Sequence, residues 1–160
     1  MNTPRSLCIA AFALCLAGAV HAQAAHEHHH ENEAGEPQKL QLNAGKKWIT
    51  DAPLRQAMSE INQAMAKALP LIHKHQFTDE QYHTLATTVN QKVAFAVENC
   101  KLDAKTDAML HLIIADLMAG TEVMAGKTAK DRHDGVVQVL RALKAYGQYF
   151  QHPGWSVAKG

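Results

Sequence analysis

From Asp51 onward the chain repeats apolar residues at steps of three and four, the period of a helix that buries one face. Leu54, Met58, Ile61, Met65, Leu69 and Ile72 form the first such row. Asp51 is placed to cap it, Pro53 suits a first turn, and Pro70 is a point at which it can kink or end. Thr78 followed by Gln81 spells a capping box. A second helix should open there, with Tyr82, Leu85, Val89, Val93, Ala96 and Cys100 inward. Asp103 caps a third helix that is apolar almost all round from Met109 to Met118, interrupted by His111 and Asp116, with Gly120 and Gly126 near its end. Such a helix is either the most buried one or part of a subunit interface. The fourth is expected from about Thr128 to Gln151, with Val136, Leu140, Leu143, Gly147 and Phe150 in register and Pro153 beyond its end. No alternating run suggests strands. Four amphipathic helices on short connections predict an all-α fold, an antiparallel up-down-up-down four-helix bundle over residues 48–160.

The first 47 residues read differently. Residues 1–24 have the organisation of an export signal: a basic start to Arg5, an apolar run from Ser6 to Val20, and small residues that allow cleavage after Ala22 or Ala24. Residues 25–47 read as a flexible leader and linker, polar and broken by Gly35, Pro37 and Gly45, with an ordered end near Trp48. The expected location is therefore the periplasm or the exterior. No later stretch approaches the roughly 18 consecutive apolar residues of a membrane span, so the processed chain should not insert in a membrane.

Processing changes the charge and the cysteine count. Loss of Arg5 leaves fifteen basic and fifteen acidic side chains, and no Lys/Arg cluster offers a nucleic acid or an anionic membrane a footprint. Cys8 and Cys15 leave with the signal, so Cys100 has no internal partner. It is open to being a free thiol, an intermolecular disulfide, a soft metal ligand or a small core residue.

The densest chemistry is His26-Glu27-His28-His29-His30-Glu31, at the start of the leader. Neutral imidazole is the common protein ligand for copper, nickel and zinc, and outside the cytosol such ions escape intracellular buffering. His26, His28, His29 and His30 are therefore candidate ligands, with copper first by intrinsic affinity and zinc as the alternative; a solvated leader without a metal role is the competing reading. A second candidate comes from counting levels along the bundle. Met58, Cys100 and His111 fall near one end, with Val93 to Ala96 and Ala145 to Gly147 at matching depth, a donor set suited to a soft ion if His111 points inward. His73, His75 and His83 flank the turn at the other end, as a surface site or a solvated hairpin. Asp131, Arg132, His133 and Asp134 read as the charged first turn of helix four. Tyr146, Tyr149, Phe150, His152, Pro153 and Trp155 form an aromatic group that either covers the bundle end or stacks on a ligand.

There is no glycine-rich phosphate loop, nucleophile elbow, CxxC, CxxCH or HExxH. A non-enzymatic role follows as the expectation.

Two resemblances bear on function. Met58-Ser59-Glu60-Ile61-Asn62 and Ala145-Tyr146-Gly147-Gln148 resemble the first and last helices of the soluble periplasmic four-helix b-type cytochromes. That family holds haem between a methionine early in helix one and a histidine late in helix four. Met58 stands at the first position and Gly147 at the second, so the likeness implies the form of a tetrapyrrole or electron-transfer bundle without its haem histidine. The stretches LQLNAGKKWITDAPLRQAM, NCKLDAKTDAMLHLIIADLMAG and YGQYFQHPGW resemble a group of small exported bacterial proteins without an assigned activity. The expectation taken forward is a periplasmic protein that binds a transition metal, copper before zinc. The alternatives are a cytochrome-like bundle and a module that binds a protein partner, either a second copy or another periplasmic protein.

Overall fold

A computed structural model describes residues 38–159. The described chain is all-helical apart from two short strands: β1 (Trp48–Ile49), α1 (Ala52–His73), α2 (Asp79–Asn99), α3 (Ala104–Met124), α4 (Arg132–Tyr149) and β2 (Phe150–Gln151). Each helix begins at a side chain that supplies an acceptor to its unpaired N–H groups. Asp51 accepts from Leu54 N at 3.0 Å. Thr78 and Gln81 make the reciprocal capping box. Asp103 accepts from Lys105 N and Thr106 N, and Asp131 from His133 N. Asp51 does more than cap, because its second oxygen accepts from Lys101 N at 2.7 Å and so ties the start of α1 to the chain leaving α2.

Pro70 neither ends nor shortens α1, which runs on to His73. Proline removes the bond to the carbonyl four residues earlier. Here that carbonyl belongs to Ala66, and both residues are exposed, so water can take its place. Helix α4 starts four residues later than its pattern suggested: Thr128 to Lys130 form bends, and Asp131 is the cap rather than a member of the first turn.

Consecutive helices pack together, α4 also packs on α1, and the most extensive contact joins α3 to α4. The interior holds Leu54, Met58, Ile61 and Met65 from α1, Leu85, Val89 and Val93 from α2, Met109, Leu110, Ile113 and Leu117 from α3, and Val136, Val139, Leu143 and Tyr146 from α4. Two of these rows differ from expectation. On α4 the inward positions are Val139 and Tyr146, while Leu140 and Gly147 are half-buried, a rotation of the face by about one residue. On α2, Tyr82 and Cys100 at the two ends are half-buried as the row runs out.

The α3–α4 contact depends on missing side chains. A Cβ on Gly120 would lie 2.7 Å from Val139 Cγ2, and one on Gly135 would lie 2.5 Å from the Gly120 carbonyl and 2.6 Å from Met124 N. Both glycines are buried, and the helices meet there almost backbone to backbone. Thr121, also buried, lies 2.8 Å from Asn90 Oδ1 and links α3 to α2. Lys92 and Glu60 pair at 2.7 Å between α2 and α1.

The strands are an addition that no sequence pattern announced. Phe150 leaves α4 in extended conformation and pairs with Trp48, and Gln151 pairs with Ile49, in a parallel ladder. Thr50 Oγ1 donates to Gln151 O next to it. Order also begins before Trp48. Asn43 and Lys46 exchange two backbone bonds across Ala44 and Gly45, both at positive φ as a tight primed turn requires. The Trp48 indole donates to Gln41 O at 2.7 Å, and Lys47 Nζ to Gly147 O at 2.6 Å. Among the described residues no helix is long and apolar enough to cross a membrane.

Candidate functional site

Polar and aromatic side chains gather where α1 begins and α4 ends. Tyr146 is fully buried, and its hydroxyl lies 3.0 Å from His152 Nδ1, while His152 Nε2 lies 3.3 Å from Ser59 Oγ on α1. Trp155 meets Tyr146 edge to face at 4.9 Å and His152 at 4.8 Å. Asn62 holds the tail over α1 by donating to Ser156 O at 2.9 Å and accepting from Ala158 N at 2.8 Å. The aromatic group therefore closes one end of the helical domain. A hydroxyl, an imidazole and a phenol in a row are also the order of a nucleophile and its base. The adjacent amide of Asn62 is already engaged with the tail, and the arrangement reads as a clamp.

Burial governs the titration of this cluster. It pushes the Tyr146 phenol well above its ordinary range. Burial, and then the Arg55 guanidinium, hold His152 below the usual imidazole value, which favours its neutral form. Arg55 itself is fixed by donating to the Thr50 carbonyl. Burial, and then the Asp51 carboxylate, push the Cys100 thiol up to about 12. Burial acts against ionisation of Asp51 too, but the N–H groups of Lys101 and Leu54 outweigh it and keep this carboxyl below its ordinary value.

The candidate metal ligands fall into three groups. His26, His28, His29 and His30 lie outside the described residues. Met58 is 2 % exposed in the core, and Cys100 caps the end of α2 as a protonated thiol beside Asp51. His111 faces outward, its side chain 62 % exposed. The structure does not bring Met58, Cys100 and His111 to one inward layer, because on α3 the inward positions adjoining His111 are Leu110, Ile113 and Ile114. Its ring instead turns back along the helix, with Nδ1 3.0 Å from Asp107 O and 3.4 Å from Asp107 Oδ2. Among the described residues no group of three or more His, Cys, Asp or Glu is placed to hold a metal ion.

The opposite end is a charged hollow. His75, Asp79, Tyr82, Asp131, Arg132 and His133 line it, and Arg132 Nε pairs with Asp79 at 3.2 Å while its Nη1 donates to Met124 O at 2.7 Å. His73, His75 and His83 are exposed. Arg132 thus spans α2, α3 and α4 from the head of its own helix, a role that reading Asp131 to Asp134 as a charged first turn missed. Between α1 and α2 runs an open groove of about 700 Å³ with Ala64, Ala68, Phe77 and Leu85 among its apolar lining residues, and Glu60, Lys67, Glu80 and Lys92 among its charged ones.

The comparison with b-type cytochromes turns on Gly147. A Cβ there would lie 2.3 Å from Trp155 Cδ1 and 2.5 Å from Nε1. The indole fills the place beside the helix, and its buried N–H finds no acceptor. Neither an open space nor a neighbouring helix explains this glycine. No protein-family model matches the chain, and no curated protein or solved structure is significantly similar to it.

Proposed function

We propose that this is an exported, non-enzymatic protein that takes up a transition metal, copper before zinc, on its leader and carries it on a four-helix domain. The observation behind the proposal is the tract itself: four histidines and two glutamates within the six residues His26–Glu31. Imidazole nitrogens flanked by carboxylates suit Cu(II), and residues 1–24 supply the export on which the reading depends. The likeness to small exported bacterial proteins fits the same compartment. We read the helical domain as an antiparallel up-down-up-down bundle. The closed cycle of helix contacts and the ties from Asp51 to Lys101 and from Arg132 to Asp79 support that arrangement.

A tetrapyrrole role is the weaker reading. Haem would need room beside Gly147, and Trp155 is seated there. Partner binding has the groove between α1 and α2 in its favour, and the two roles can coexist.

The test is protein isolated untagged from the periplasm and examined by absorption spectrum and elemental analysis. Stoichiometric copper or zinc is the expected result, while a Soret band favours the cytochrome-like alternative and neither signal favours partner binding alone. Deleting the chain through Lys39 should abolish most Cu(II) binding and leave the helical spectrum intact. Unchanged stoichiometry in the shortened protein overturns the assignment to the leader.

A further inference from the structure

Helix α3 is apolar on the side it shows to solvent. A helix that is apolar all round is normally covered all round, yet on α3 Ala115 and Met118 are exposed and Leu112 and Ala119 only half-buried. Between His111 and Glu122 the sole charged residue is Asp116, which stands about 100° round the helix from Ala115. The apolar side continues onto α2. Val97 is 58 % exposed and Met118 49 %, and both border one hollow of about 310 Å³ between the two helices. Val93, Ala94 and Ile114 complete its apolar lining, with Glu98 its one charged neighbour.

The exposed row of α3 is self-complementary. His111, Ala115, Met118 and Glu122 follow at steps of four, three and four, the same in either direction. A second α3 laid antiparallel about an axis between Ala115 and Met118 sets Ala115 against Met118 twice, small against large. The hollow contains both Ile114 and Met118, so it lies at the level of that axis and can receive the flexible Met118 of the other copy. Charges at the two ends agree with this register. Asp107 and His111 stand towards one end, and Glu122 and Lys127 towards the other, with Lys127 N held 3.0 Å from the Glu122 carbonyl. Read antiparallel, Lys127 faces Asp107 and Glu122 faces His111, opposite in sign at fully charged pairs and paired whenever the imidazole is protonated. From Asp107 to Met124 the row runs roughly 25 Å, and with α2 the face is about 20 Å wide. That comes close to the roughly 600 Å² a side at the small end of specific interfaces.

We infer that this face is the contact between two copies of the chain, packed α3 against α3 in antiparallel orientation about a two-fold axis between Ala115 and Met118. The contact is independent of metal binding by the leader. Its modest area sets the association in the micromolar range.

The experiment uses the full processed chain, untagged, with and without a chelator. Sedimentation equilibrium between about 1 and 100 μM should show the mass rising from one copy to two in both buffers. Met118→Lys, at an exposed position, places two ammonium groups beside the axis and should weaken association at least about tenfold. Lys127→Glu sets acid against acid at each end and should weaken it by about threefold or more, and adding Asp107→Lys should recover most of that loss. Circular dichroism checks the fold of each variant, and the charge exchange carries the test if Met118→Lys does not fold. A chain that stays monomeric to 100 μM leaves the face to a different protein and overturns the inference. So does a dimer that disappears with the chelator, which is bridged by metal, or one that folded Met118→Lys leaves unchanged, which uses another face. Failure of Asp107→Lys to rescue Lys127→Glu overturns the antiparallel register.

Discussion

Trp155 lies so close over Gly147 that a single added methyl on the helix would overlap its indole ring. The glycine makes room for a side chain from its own C-terminal tail, which Asn62 then fastens to α1. Gly147→Ala brings opposing effects: a gain of about 1 kcal/mol in helix propensity, and a displaced indole costing roughly 1–3 kcal/mol. The ring is held against Tyr146 and His152, so displacement should win. Chemical denaturation should show net destabilisation, together with a changed tryptophan emission. A more stable variant with unchanged emission overturns this packing.

Gly120 and Gly135 present a different constraint, because what faces them is mainly backbone. A Cβ on Gly135 meets the Gly120 carbonyl and Met124 N, neither of which can rotate away. Gly135→Ala should therefore force α3 and α4 apart and cost more than Gly147→Ala, at least about 2 kcal/mol. Comparing the two denaturation midpoints checks the ordering, and equal losses would show that the α3–α4 contact can relax.

The helices were legible because their caps and apolar rows are local. Asp51, the Thr78/Gln81 pair and Asp103 each act within a few residues, and all three hold in the structure. Face assignment was less secure on α4, where Leu140 and Gly147 fit the period as well as Val139 and Tyr146 do. Only the packing of Tyr146 among Phe150, His152 and Trp155 decides between those rows. The parallel pairing of Trp48 with Phe150 joins residues about a hundred positions apart through backbone bonds, which leave no periodicity to read. His111 shows the limit for sites. Level counting assigned it a depth in the expected bundle, but α3 is apolar on several sides, and its spacing could not say which way the ring turned.

Cys100 should react slowly with thiol reagents in the folded protein. Its thiol is pushed up to about 12 by burial and by Asp51, so little thiolate is present at neutral pH. The greater nucleophilicity of a more basic thiolate recovers part of the loss, leaving a reaction roughly tens of times slower than in the unfolded chain. Asp51→Asn should speed it by removing the neighbouring charge. A rate equal to that of the unfolded chain, or a disulfide-linked dimer of the folded protein, overturns the protected position.

The proposed chelation by the leader would carry its own pH signature. Protonated imidazole has no lone pair for a metal, so Cu(II) affinity should fall as pH drops through about 6, with protons released on binding at neutral pH. Calorimetric titration in two buffers of different ionisation enthalpy measures that release. Affinity that is flat between pH 7.5 and 5 would exclude imidazole as the principal donor.

Stability of the metal-free domain should respond to acid through His152. Its value is lowered in the fold, first by burial and then by Arg55, whereas the unfolded chain offers it an ordinary imidazole environment near 6.5. Where the unfolded state takes the proton more readily, stability falls with falling pH. The contribution of His152 is thus fully present above about 6.5 and is lost as pH falls from there through the lowered folded value. Asp51, Glu60 and Asp103 are themselves held below their ordinary values, which places their own losses at more acidic pH. Denaturation midpoints measured between pH 7.5 and 5 should decline in the wild type. His152→Gln removes the titrating ring while offering amide atoms toward Ser59 and Tyr146, and its profile over the same range should be flatter. If the two profiles decline in parallel, the imidazole clamped between Ser59 and Tyr146 does not set the acid sensitivity of this domain.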